Sequence, residues 1–211
     1  MDNILSLEKL AFERNYQFLF QNINCSLAAG DTLQIMGSNG SGKSTLLRIL
    51  AGFLDPSEGT LFWKNKPIQD LRTSYQNQLH YVGHQNGIKP LLSVLENLQL
   101  SCLVSQNQTA PKIVSNIIEK MGLTEQRYTF AINLSAGQLR RVCLARLLLN
   151  PMPIWILDEP TTSLDASGSQ LLINMLEEHL QTGGICILAT HLNLALKSKI
   201  KILQLGVKAQ C

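Results

Sequence analysis

The run Gly37-Ser38-Asn39-Gly40-Ser41-Gly42-Lys43-Ser44-Thr45 constrains the fold more than any other part of the chain. Leu33-Gln34-Ile35-Met36 precedes it and reads as a buried strand; the stretch from Ser44 to Ala51 has the apolar spacing of a helix. A glycine-rich turn between strand and helix lets backbone N–H groups wrap phosphate oxygens closely, because Gly37, Gly40 and Gly42 add no side-chain bulk. The N-terminus of the following helix contributes its partial positive charge. Lys43 is placed to reach the β- and γ-phosphates of a nucleoside triphosphate, and the Ser44 hydroxyl can take a Mg2+ position.

Short apolar runs alternate with helical patterns in the rest of the chain, which predicts an α/β fold with a largely parallel sheet. Further strands are expected at 61–63, 80–82, 154–157, 185–189 and 202–205. The first thirty residues read as antiparallel strands and turns, ending at Ala29-Gly30-Asp31 as a hairpin turn. Between 86 and 150 the pattern becomes helical. Ser93 and Glu96 form a capping-box pair opening a helix to about Val104, and Pro111 opens a second that stops at Gly122. A third is expected from Ala136 to Leu149, with Ser135 as its cap. The expected organisation is one domain over 1–211, with a nucleotide-binding core of 1–85 and 151–211 and a helical subdomain of 86–150.

The net charge of +3 gives no electrostatic case for nucleic acid. The five cysteines are scattered without a C-x-x-C pair, so reduced thiols packed as small hydrophobes are expected and a metal site is not. No apolar run approaches the ~18 residues of a membrane span, and Glu8, Glu13 and Arg14 interrupt any leader-like segment. Placement in the cytosol, or on a membrane from its cytosolic side, is expected.

Ile154-Trp155-Ile156-Leu157-Asp158-Glu159 is an apolar strand that ends in two acids, at the edge where α/β sheets bind ligands. Asp158 is placed to hold Mg2+ and Glu159 to polarise an attacking water. Leu134-Ser135-Ala136-Gly137-Gln138 opens the third helix, and here the sequence resembles the ATP-binding-cassette (ABC) ATPases, whose signature is most often LSGGQ. Gln85 matches that family's glutamine loop, Ser163-Leu164-Asp165 its D-loop and His191 its switch histidine. The resemblance implies a P-loop NTPase with a RecA-like core of the ABC ATPase type. It also implies a homodimer that sandwiches two ATP molecules, with Ser135, Gly137, Gln138 and Asp165 of one subunit completing the site built on Lys43 of the other. The resemblance further implies that Gln85 and His191 join Lys43 and Glu159 as catalytic residues, and that Gln85 joins Ser44 and Asp158 around Mg2+. Where most members stack an aromatic on adenine this chain aligns Arg14, with Phe12 and Tyr16 alongside; an arginine plane can also stack on a base.

Longer strings narrow the resemblance. Gln34 to Gly40, Gly83-His84-Gln85-Asn86-Gly87-Ile88-Lys89 and Ser135 to Arg141 are similar to the haem-exporter ATPases of bacterial cytochrome c maturation systems. Membership there implies integral membrane partners, an indirect link to a haem chaperone, and a peripheral position on the cytoplasmic face of the inner membrane. ATP hydrolysis would drive haem delivery and chaperone release. Two other readings stay open: an ATPase for a different transported substrate, and a soluble ABC protein acting on ribosomes or DNA. The helix after Ser93 carries more apolar residues than one buried stripe needs, so residues 87–104 are expected to include the dock for a membrane subunit.

Overall fold

Strand β1 (Leu5–Arg14) turns at Asn15 and Tyr16 into β2 (Gln17–Leu27), and the two pair antiparallel from Leu5↔Leu27 to Arg14↔Gln17. Both turn residues have positive φ, 53° and 60°, as a tight two-residue hairpin requires. These coordinates are a computed structural model that describes residues 4–104, 111–190 and 195–206. β4 (Glu58–Trp63) and β5 (Lys66–Pro67) extend this antiparallel sheet in the order β2-β1-β4-β5.

The expected hairpin turn at Ala29-Gly30-Asp31 is a turn but does not make a hairpin. Gly30 takes φ 81°, and the Asp31 carboxylate accepts the Ala28 N–H at 2.9 Å. The next strand, β3 (Thr32–Met36), leaves β2 and enters a second, parallel sheet. Burial explains the change of sheet: β2 exposes much of its length, whereas the first four residues of β3 are buried. The parallel sheet runs β6 (Leu79–Val82), β7 (Ile154–Asp158), β8 (Ile185–Ala189), β3, β9 (Ile200–Gln204). β7 and β8 are buried at every position, as strands covered on both faces must be. Helix α1 (Lys43–Leu50) follows β3, and α2 (Arg72–Gln76) precedes β6. One apolar cluster joins both sheets and α1 through residues such as Leu7, Ile23, Leu33, Leu47 and Ile187.

The chain divides into two compact units, and the one just described takes in Met1–Gly83, Met152–Pro160 and Met175–Cys211. Within it Trp155 stacks on His179, ring centroids 4.0 Å apart and planes 8° from parallel. Burial holds the His179 imidazole below its ordinary value near 6.5. Above that value His179 is neutral in the folded and the unfolded chain, and the pH costs nothing. As the pH falls below it, the unfolded chain takes up the proton first and stability drops. The unfolding midpoint of the wild type is therefore expected to fall between pH 7 and pH 5, and that of His179→Gln to fall less. Parallel pH dependences in thermal melts would refute this.

The other unit comprises His84–Pro151 and Thr161–Asn174. It holds α3 (Val94–Val104), α4 (Pro111–Lys120), α5 (Ala136–Leu149) and the first part of α6 (Ala166–Gln181). The Ser93 box forms as expected: the Glu96 carboxylate accepts both the N–H and the hydroxyl of Ser93 at 2.7 Å. Those bonds hold the Glu96 carboxyl below the usual carboxylate range. Gly122, at φ 66°, ends α4, and the Leu123 N–H returns to the Ile118 carbonyl at 3.0 Å. Val114, Ile117 and Ile118 of α4, Leu98 and Cys102 of α3, and Leu144 and Leu147 of α5 are buried. Leu91, Leu103, Val104, Tyr128, Phe130 and Ile132 remain exposed. No helix among the described residues is long and apolar enough to cross a membrane.

Candidate functional site

Register brings the chemistry of the first unit to one edge. Ile35 of β3 pairs with Ala189 of β8, and Ala189 pairs with Asp158 of β7. The loop after β3 and the two acids after β7 therefore leave the same carboxyl end of the sheet, two strands or about 10 Å apart. That is the edge at which open α/β sheets bind their ligands.

The loop from Gly37 to Gly42 is shaped as a cradle. A Cβ on Gly37 would meet the Ser41 hydroxyl at 2.5 Å and the Leu205 carbonyl at 2.9 Å. Gly42 stands as the N-cap of α1 at φ 94°, with the Phe20 ring 3.1 Å from where a Cβ would lie. Lys43 is 8% exposed and folds back over the loop, donating to the carbonyls of Gly37 at 2.8 Å and Ser38 at 3.0 Å. Among the described residues the buried Ser41 hydroxyl has no hydrogen-bond partner, and Ser38, Asn39 and Gly40 lie exposed along the loop. An unmatched buried hydroxyl inside a glycine cradle fits a bound phosphate, whose oxygens would supply the missing partner. Ser44 and Thr45 begin α1.

Asp158 is 4% exposed, and its charge, after burial, is a cause of the raised pKa of Tyr81 beside it. The hydroxyl of Ser44 and the carboxylate of Asp158 are hard oxygen donors of the kind Mg2+ takes. Among the described residues no cluster of three or more His, Cys, Asp or Glu could hold a metal ion alone. A cation at this edge would draw further oxygen donors from outside the protein, such as phosphate oxygens and water. Glu159 has φ 45°, a conformation that L residues avoid, and its N–H donates to the Ala189 carbonyl at 2.8 Å. Strain of this sort gathers where a side chain has to be aimed. Arg14 pairs with Gln17 beside the hairpin turn, exposed to solvent.

The second unit gathers Ser135, Gly137, Gln138 and Asp165 and also contains Gln85. Ser135 caps α5 reciprocally: its hydroxyl accepts the Gln138 N–H at 3.2 Å, and the Gln138 carboxamide accepts the Ser135 N–H at 2.9 Å. Gly137 has its own requirement, since a Cβ there would lie 2.8 Å from the carbonyl oxygen of Ser163. Asp165 accepts from the Gly168 N–H and from the Arg141 guanidinium, each at 2.7 Å, which holds its carboxyl below the usual carboxylate range. A cavity of about 800 Å³ opens here, with Ser135, Gly137, Gln138, Arg141 and Asp165 in its wall. Arg141 and Asn86 were visible only inside the strings that carry the narrower resemblance; nothing in their spacing marked them as structural partners. His191 lies outside the described residues.

A family profile described as ABC transporter matches residues 20–162. The chain is 42% identical over 187 residues to the cytochrome c biogenesis ATP-binding export protein CcmA of Haemophilus influenzae, covering 89% of this chain and 88% of that protein. It is 38% identical over 203 residues to the protein of the same description from Hahella chejuensis, covering 96% of each. Among solved structures, the dimeric post-hydrolysis state of the ATP-binding cassette MJ0796 bound to ADP and Pi superposes with a TM-score of 0.79 at 28% identity, over 95% of this chain and 94% of that one. An ATP-binding subunit of an ABC transporter superposes with a TM-score of 0.83 at 22% identity, over 96% of this chain and 85% of that one, which speaks for the fold.

Proposed function

Because the chain belongs to the ABC transporter ATPases, in the group of the cytochrome c biogenesis ATP-binding export proteins, we propose that it spends ATP on releasing a haem-loaded chaperone from a membrane complex. It is an ATP hydrolase, the ATPase subunit of a cytochrome c biogenesis ABC exporter. It works as a dimer with membrane subunits and is associated with the membrane through them. We place it on the cytoplasmic face of the bacterial inner membrane, with no nucleic acid partner. The match to the export proteins over nearly the whole chain carries this reading.

The proposed roles follow the geometry. The backbone from Gly37 to Thr45 wraps the phosphates, and Lys43 exchanges the carbonyls of Gly37 and Ser38 for β- and γ-phosphate oxygens. Ser44 and Asp158 would hold Mg2+, which would neutralise charge developing on the phosphates. Glu159 accepts a proton from water as the water oxygen bonds to the γ-phosphorus and the bond to the β-phosphate oxygen breaks. His191 supports the γ-phosphate from the segment after β8. Ser135, Gly137 and Gln138, at a second helix N-terminus, and Asp165 meet the phosphates held by the other subunit. ATP then joins two subunits and hydrolysis loosens them. Arg14 stacks on adenine. One ATPase domain carries all of this, with a core of 1–85 and 151–211 and a helical subdomain of 86–150, and the surface around 87–104 docks the membrane subunit.

A deletion strain complemented with wild type or Glu159→Gln tests the cellular role. Membranes of the deletion strain should lack covalently haemylated c-type cytochromes while b-type haem proteins stay normal. Glu159→Gln should assemble with its partners and leave haem held on the chaperone. Normal c-type haem staining in the deletion strain, with no second copy of the gene, would end the haem assignment.

A further inference from the structure

Arg140 is a charged residue buried to 3% exposure in the second unit, on the helix that Ser135 caps. A guanidinium so placed is costly unless acceptors take its N–H groups. One acceptor is the side-chain oxygen of Asn86, 3.1 Å from Arg140 Nη1. Arg146, six residues or about 9 Å further along α5, donates its own Nη1 to the backbone carbonyl of the same Asn86 at 3.1 Å. The chain then turns at Gly87, φ 62°, where a Cβ would come within 3.4 Å of Arg146 Nη1. The residue directly after Gln85 is thus fastened twice to α5.

A second fastening follows three residues later. Asn97 of α3, 5% exposed, accepts the Lys89 N–H at 2.8 Å and donates to the Lys89 carbonyl at 3.1 Å. Its amide also donates to the carbonyls of Leu92 and Ser93, each at 3.0 Å. The segment from Asn86 to Ser93 is therefore tied to α5 at one end and to α3 at the other. Exposed Leu91 lies within it, and Tyr128, Phe130 and Ile132 lie on the strand-like segment that pairs with it.

We propose that Arg140 and Arg146 are positioning residues for Gln85, fastening its loop to the helix that begins at Ser135 so that the two move as one body. This rests on the ATPase reading above, and it deepens that reading by giving the glutamine loop a mechanical link. Displacement of α5 at its N-terminus carries Gln85 with it, and the Asn97 bonds pass the same displacement to the exposed apolar surface. It also accounts for why two of the strings behind the narrower resemblance, Gly83 to Lys89 and Ser135 to Arg141, occur together: Asn86 of one bonds Arg140 of the other.

The test is ATPase kinetics of the assembled membrane complex with Asn86→Ala, Asn86→Asp and Arg146→Gln. A hydrogen bond to a charged group is lost in Asn86→Ala, and kcat should fall about tenfold with the KM for ATP unchanged. Asn86→Asp should restore kcat, because its carboxylate accepts from Arg140 in the same place. Arg146→Gln should lower kcat in the same sense, since it leaves the Asn86 side chain intact and loosens only the backbone. Unchanged kcat in Asn86→Ala and Arg146→Gln, a change confined to KM, or a loss that Asn86→Asp does not restore would each overturn the proposal. Glu159→Gln run beside them keeps the two levels apart: if it alone is inactive, the fastening fails and the ATPase reading stands.

Discussion

Replacing Glu159 by Gln should lower ATP turnover by roughly 10²- to 10⁴-fold, the usual contribution of a positioned general base, while ATP binding survives. The amide has nearly the shape of the carboxylate and cannot accept the proton of the attacking water. The backbone argues that this side chain is aimed: Glu159 keeps a φ of 45° with its N–H held on the Ala189 carbonyl, which fixes the residue beside the end of β7. None of that depends on the charge, so the variant should fold. With hydrolysis blocked, the ATP-joined dimer should accumulate, and size-exclusion chromatography with ATP would detect it as a doubled mass. Turnover close to wild type in a clean preparation would remove Glu159 from the mechanism.

Gly137→Ala should separate the two halves of the composite site proposed above. Its new methyl would lie 2.8 Å from the Ser163 carbonyl oxygen, a backbone atom on a residue already at φ 66°. The loop has little room to yield, because Arg141 ties Asp165 to the same helix at 2.7 Å. Overpacking of this kind costs about 1–3 kcal/mol, enough to weaken the ATP-driven dimer about 5- to 150-fold. Nucleotide binding by the single subunit should be unchanged, since Gly37 to Thr45 lie on other elements. Titration with a fluorescent nucleotide and sedimentation with ATP read the two effects apart. Wild-type dimerisation would reduce Gly137 to an ordinary helix residue.

The parts of the fold legible in the sequence are those whose signals are local. Ser93 with Glu96 and Ser135 with Gln138 mark helix starts by chemistry that spans only four residues, and both caps form. Ile185–Ala189 is a strand because five apolar residues in a row suit only a doubly covered position. The hairpin at Asn15-Tyr16 was not legible, since Tyr is a poor marker of positive φ and nothing in the flanking residues replaces the usual glycine. The turn at Gly30 was legible as a turn, yet which sheet the next strand joins depends on partners far along the chain. The site divides the same way. The phosphate loop announces itself, whereas the bonds from Arg140 and Arg146 to Asn86 need two distant segments brought together before they exist.

The strand order β6-β7-β8-β3-β9 has a further consequence for how the protein is made. β3, which presents the phosphate loop, pairs among the described residues with β8 and β9, so Thr32 waits for Cys186 and Ile200. A growing polypeptide on the ribosome therefore exposes a strand edge beside its glycine cradle for most of translation, and long-range pairing of this kind is slow and prone to aggregation. ATP cannot stabilise the nascent chain through a completed site until β8 and β9 have left the exit tunnel. A ribosome stalled after β7 should carry a chain that ignores nucleotide.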